Sequence, residues 1–131
     1  MKVNEISTAA LAYLGDSVIE IRVREKLVLD GIGDSGNLNR ASLEYVKASA
    51  QAEAMRRILP LLSEEEERAF KRGRNMTGKN VPKTATASEY RIATGMETLF
   101  GYLHVLNRYE RLDELFEIAY QINEINNETE I

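Results

Sequence analysis

The sequence contains no cysteine and only one histidine, His104. The lack of cysteine excludes disulfide bonds, thiolate metal sites and a cysteine nucleophile, and a lone histidine excludes a multi-histidine metal site. No apolar run approaches the roughly 20 residues that a membrane-spanning helix needs, and the N-terminus lacks the pattern of a signal peptide. We therefore expect a soluble, cytoplasmic protein that does not enter a membrane.

The chain has 131 residues, which we take as one domain, 1–131, large enough for a substantial core. Its net charge of −4 is unevenly distributed. Residues 68–91 hold seven lysines and arginines against one acid, Glu89, so this segment carries +6 and the remainder −10. A basic segment in an acidic protein suits a polyanionic ligand, although a solvated basic loop has the same composition.

Hydrophobic periodicity and capping signals predict an all-α fold. The first helix begins at Ser7 or Thr8 and is ended by the glycine-rich stretch DGIGDSG. Ser63, with Glu66 three residues later, predicts a capping box, and GRNMTGKNVPKTAT predicts a polar loop after that helix. The predicted helices cover about 7–29, 37–60, 63–72, 88–107 and 109–125, with a frayed tail at 126–131.

Two acids occupy similar settings on two of these helices. On a helical wheel, Asp16 lies beside Gly15, and Glu97 shares a stripe with Gly101, with apolar faces on the opposite sides. Apolar residues such as Ile21 fill most of the circumference of the first helix, which predicts a central helix packed on several sides. One or two carboxylates can hold Mg²⁺ with water and phosphate, while ordinary ion pairs explain the same pattern.

Two motifs, LAYLGDSVIE (11–20) and ATGMETLFGYLHVL (93–106), resemble those of the ribonuclease III family. LAYLGDSVIE (11–20) resembles its signature helix, Leu-Glu-Phe-Leu-Gly-Asp, which carries a metal-binding aspartate. ATGMETLFGYLHVL (93–106) resembles its second motif, which carries a metal-binding glutamate. RGRNMTGKNVPK (72–83) and YVKASAQA (45–52) are similar to the short bacterial branch of the family. The resemblance covers almost the whole chain and implies a homodimeric helical bundle without a separate double-stranded-RNA-binding domain.

The resemblance implies an endoribonuclease, a hydrolase that depends on Mg²⁺ or, in substitution, Mn²⁺. Asp16 and Glu97 match the catalytic, metal-binding acids, and a metal-activated water would leave 5′-phosphate and 3′-hydroxyl ends. The implied substrate is double-stranded, structured RNA, in the short branch the 23S ribosomal RNA precursor, with a ribosomal protein on it as a further candidate partner. Ala12 and Thr94 replace acids of the longer enzymes, which predicts more water around the metal and weaker binding of it.

Further residues are expected to support this chemistry. Glu20, Tyr90 and Thr94 are candidates for a supporting role beside the metal. The position of Glu20 favours a salt bridge with a neighbouring arginine instead, and for Tyr90 a packing role is an equal alternative. His104 is expected to be structural. The alternatives are a non-catalytic RNA- or ribosome-binding module, which Ala12 and Thr94 favour, and a plain helical interaction domain. The expected RNA contacts are Arg72, Arg74, Asn75, Lys79, Asn80 and Lys83.

Overall fold

A computed structural model describes residues 1–76 and 85–122, and within them the chain is helical, which confirms the all-α prediction. Single-turn 3-10 helices lie at Val3–Glu5 and Leu59–Leu61. The α-helices of the described part are α1 Thr8–Leu29, α2 Ser35–Val46, α3 Ala48–Ile58, α4 Glu64–Arg74, α5 Ala87–Val105 and α6 Tyr109–Ala119. None of the helices in the described ranges is apolar over a length that would cross a membrane.

Helix starts follow the local capping chemistry. The Ser7 hydroxyl accepts a hydrogen bond of 3.1 Å from a backbone amide in the first turn of α1. Ser63 and Glu66 form the predicted capping box of α4, and Thr86 and Glu89 form a second one at α5. Each box satisfies two backbone donors that a helix start would otherwise leave unpaired, so these residues fix where both helices begin.

Two internal boundaries differ from the prediction. The expected helical region 37–60 is broken at Lys47, whose backbone is extended (φ −63°, ψ 150°) and separates α2 from α3. The helix expected to end before Gly73 continues through it to Arg74. Gly73 is buried against α5, where an added Cβ would lie 2.2 Å from the Thr98 hydroxyl oxygen, so packing keeps this glycine helical.

The last two helices end earlier than predicted. Asn107 (φ 59°) and Gln121 (φ 54°) adopt left-handed backbone conformations just beyond α5 and α6. A left-handed residue stops a helix and lets amides bond back to its last carbonyls, so the predicted ends at 107 and 125 were wrong. The expected tail 126–131 lies outside the described residues.

The core is built around α5, which packs against α1, α3, α4 and α6. Phe100 and Leu99 of α5 are fully buried, together with Phe70 of α4 and Ile19 of α1. Helix α1 packs on more than one side, against α5, α2 and α4, as its apolar circumference predicted. Ile21 of α1 is nevertheless 60% exposed, so part of the apolar circumference of this helix is open to solvent.

Candidate active site

Helices α1 and α5 cross at two glycines. A Cβ added to Gly15 would lie 1.6 Å from the Glu97 carbonyl oxygen, and one on Gly101 would lie 2.0 Å from the Leu11 carbonyl oxygen. Ordinary contact at a Cβ begins near 3.4 Å, so only glycine permits this approach of the two backbones. Because Asp16 directly follows Gly15, the crossing brings the two acid-bearing turns together.

Asp16 is exposed and forms no hydrogen bond or ion pair with the described residues. Neighbouring Gly15 and Ala12 are buried, while Asp16, which the helical wheel places away from the apolar face, lies at the solvent edge of the same contact. An exposed carboxylate pays no desolvation cost. The acid needs no internal partner and can reach an external ligand.

Glu97 is half-buried on α5, within electrostatic reach of Tyr120 just beyond α6. Burial raises the pKa of the Tyr120 phenol, and the negative charge of Glu97 adds to that increase. The Tyr120 hydroxyl donates a hydrogen bond of 2.9 Å to the Tyr45 carbonyl near the end of α2. Sequence analysis missed Tyr120 because nothing in its local pattern distinguishes it from a packing tyrosine.

The donor set limits which metal the site could hold. The described residues contain no group of three or more His, Cys, Asp or Glu side chains that could hold a metal ion. Ala12 is buried, and the Thr94 hydroxyl donates to the Tyr90 carbonyl at 2.9 Å. Asp16 and Glu97 therefore fit Mg²⁺, which commonly takes one or two carboxylates and keeps several waters. They do not fit an ion caged entirely by protein donors.

Other predicted neighbours have structural partners. Glu20 accepts a hydrogen bond of 2.8 Å from Arg24, the arginine pair that its position suggested. Tyr90 is half-buried, and Thr94 is 6% exposed. His104 is half-buried, and its Nδ1 has no hydrogen-bond partner among the described residues. A supporting role for Glu20, Tyr90 or Thr94 stays a prediction.

The basic segment is described only in part. Lys79, Asn80 and Lys83 lie outside the described residues. The predicted contacts Arg72, Arg74 and Asn75 lie at the C-terminal end of α4. Arg72 Nη2 donates to the Ile6 carbonyl at 3.0 Å, and Arg74 Nε donates to Asn75 Oδ1 at 3.1 Å. Arg72 thus fastens the N-terminal segment to α4, a role that its sequence setting did not reveal.

Comparison with known protein families identifies the class of protein to which this chain belongs. The model of the Ribonuclease III domain family matches residues 9–108, which include both Asp16 and Glu97. The chain therefore belongs to the ribonuclease III family and is an endoribonuclease. RNA is accordingly its class of substrate.

Within this family, the similar proteins are Mini-ribonuclease 3 proteins. Those of Thermoanaerobacter sp. and Symbiobacterium thermophilum are 41% and 43% identical, over 91% and 83% of this chain and 84% of each relative. That of Enterococcus faecalis is 44% identical over 85% of this chain and 86% of its own. The crystal structure of protein FN1578 from Fusobacterium nucleatum superposes with a TM-score of 0.81 at 28% identity, covering 89% of this chain and 93% of that one.

Proposed function

We propose that the chain is a Mg²⁺-dependent endoribonuclease that cleaves double-stranded regions of structured RNA. The observation that carries the proposal is the glycine crossing, which joins the turn bearing Asp16 to the turn bearing Glu97. Asp16 is accessible from solvent, so an external ion can reach its carboxylate. Oxygen donors alone suit Mg²⁺, with Mn²⁺ as a substitute.

In this proposal Asp16 and Glu97, on the two turns that the glycine crossing brings together, would hold the ion. The bound metal would lower the pKa of a water and neutralise charge on the scissile phosphate, giving 5′-phosphate and 3′-hydroxyl ends. Glu97 is held on a half-buried helix turn beside Tyr120, so its position is set by packing. Asp16 supplies the solvent-facing carboxylate that an entering phosphodiester can approach.

We extend the proposal to the 23S ribosomal RNA precursor as substrate, with a ribosomal protein on it as a further partner, and to a cytoplasmic location. This extension rests on the resemblance of the motifs to the short branch. A-form RNA is recognised mainly by shape, through phosphate and 2′-hydroxyl contacts. Arg74 and Asn75, with the predicted contacts Lys79, Asn80 and Lys83, suit that kind of binding.

We also infer a homodimer assembled through α1. Tyr13, Ile21 and Val28 lie along the outer face of this helix and are 85%, 60% and 59% exposed. Large apolar side chains grouped on an exposed face are typical of an interaction surface. A second copy would cover them and provide a second pair of acids, one pair for each strand of a duplex.

The test is cleavage of a short duplex RNA by Asp16→Asn and Glu97→Gln, with Mg²⁺ and with EDTA. Each substitution should lower the cleavage rate by more than the roughly 10–100-fold that is typical when a residue behind the metal ligands is changed. The circular dichroism spectrum and Tm should stay unchanged. Glu110→Gln, on an exposed carboxylate of α6, is the matched control. Cleavage by either variant at the wild-type rate refutes the metal assignment. RNA binding by the wild type without cleavage favours the non-catalytic module.

A further inference from the structure

A groove of about 550 Å³ lies between the N-terminal segment, α4 and α5, and neither Asp16 nor Glu97 lines it. Its lining includes three cationic side chains of α4 and two asparagines. The charged and amide side chains of the lining are Asn4, Arg68, Lys71, Arg72, Asn75 and Glu65. The groove is therefore chemically distinct from the carboxylate pair.

The negative charge of the one acid in the groove lining, Glu65, is already compensated by an arginine. Glu65 accepts a hydrogen bond of 2.7 Å from the Tyr102 hydroxyl and one of 2.6 Å from Arg108 Nη1. These bonds hold the pKa of the Glu65 carboxyl below its usual value, so it stays ionised and its charge is matched by Arg108. The α4 cations then leave the groove with a positive field.

The three α4 cations differ in how many of their hydrogen-bond donors are free to bind a ligand. Arg68 is exposed and makes no hydrogen bond or ion pair with the described residues. Lys71 pairs with Glu67 at 2.8 Å, but both side chains are about half exposed (48% and 46%), and such surface pairs contribute little. Arg72 donates one hydrogen bond to Ile6, which leaves other guanidinium donors for a ligand.

The groove lining includes Asn4, which precedes α1, whereas Asp16 lies within α1. Ser7 begins α1 beside the groove segment, and Asp16 lies nine residues further, about 14 Å along the helix axis at 1.5 Å per residue. A ligand that touches both places must be longer than a mononucleotide. Asn75 and Arg72 belong both to the groove and to the RNA contacts predicted from sequence, so the groove continues that surface.

We propose that this groove binds the phosphodiester backbone of the RNA at a place separate from the cleavage centre, with Arg68 as its principal contact. The inference rests on the proposed function, because the same duplex is bound at both places. Arg72 supports the groove by holding the N-terminal segment in place. Lys71 contributes charge once the ligand competes with Glu67.

The test is the affinity for a duplex RNA of about two helical turns, measured in EDTA over a range of salt concentrations. Arg68→Ala should weaken binding several-fold at low salt and reduce the slope of log K against log salt by about one. Arg68→Lys should retain most of the affinity. Arg40→Ala, which removes an exposed arginine of α2 outside the groove lining, is the matched control.

Cleavage kinetics separate this inference from the proposed function. Arg68→Ala should raise KM and leave kcat unchanged, because the residue binds RNA away from the reacting phosphate. If the wild type binds and cleaves the duplex and Arg68→Ala matches Arg40→Ala, the groove inference alone is wrong. A wild type that neither binds nor cleaves duplex overturns both. Equal competition by polyglutamate would assign the groove to an acidic protein and overturn the inference as well.

Discussion

Replacement of Gly15 by alanine should disrupt both the fold and the site. The added Cβ would lie 1.6 Å from the Glu97 carbonyl oxygen and 2.9 Å from the Gly101 amide nitrogen. Both are backbone atoms, so no side-chain rotation can relieve the clash. Helices α1 and α5 must separate by more than 1 Å to restore ordinary contact, and Asp16 must move with α1.

The size of the effect follows from two opposing contributions. Overpacking a core contact costs about 1–3 kcal/mol and occasionally more, and a backbone clash belongs at the upper end. Alanine recovers about 1 kcal/mol of helix propensity. We expect a net loss of about 2 kcal/mol or more in the free energy of unfolding, equivalent to a Tm lower by roughly 6–12 °C. Displacement of the acids by about 1 Å should also lower the cleavage rate about 100-fold.

The assay is thermal unfolding followed by duplex cleavage at a temperature where the variant is folded. Gly33→Ala is the control, because nothing lies within 4 Å of a Cβ at that position. It should stay within about 0.5 kcal/mol of the wild type. If Gly15→Ala matches Gly33→Ala in both Tm and cleavage rate, the close crossing and its role in placing the acids are refuted.

Two further predictions concern stability at low pH and assembly. Arg111 lowers the pKa of buried Glu66 below its usual 4.5, so the pair stabilises the fold above that pH and loses its effect as pH falls through the lowered pKa. Loss of the charged hydrogen bonds in Glu66→Gln should cost about 2 kcal/mol at pH 7, and urea unfolding should show that difference shrinking below pH 4.5; a constant difference would contradict it. Tyr13→Asp should give monomers in analytical ultracentrifugation, and a wild type that is monomeric at tens of micromolar would contradict the α1 dimer.

Capping and motif spacing predicted those features that depend on few neighbouring residues. The box of Ser63 and Glu66 begins α4 as expected, since its hydrogen bonds span three residues. The start of α1 at Ser7 follows for the same reason. The proximity of the turns that carry Asp16 and Glu97 could be expected only because both residues lie in recognisable motifs, each with a glycine on the contact face.

Other features depend on contacts between distant segments, which local patterns do not encode. The helical propensity around Lys47 is unremarkable, yet the chain turns there so that α2 and α3 can each pack separately. Tyr120 approaches Glu97 only after α6 has folded back onto the bundle. Ile21 fits the apolar side of its wheel, but no other helix of the described chain covers it. Periodicity identifies an apolar face, not what covers it.

The location of the acids and the orientation of their carboxylates have different physical origins. Backbone contact at Gly15 sets where Asp16 lies, but no hydrogen bond from the described residues fixes its carboxylate. Glu97 is restrained more strongly, because it is half-buried next to Tyr120. A ligand that bridges the two must therefore order Asp16 at an entropic cost on binding. If Asp16 and Glu97 hold a metal as proposed, Ala12 and Thr94 add no further carboxylate, so metal affinity should depend on the RNA phosphate, and metal and RNA should bind cooperatively.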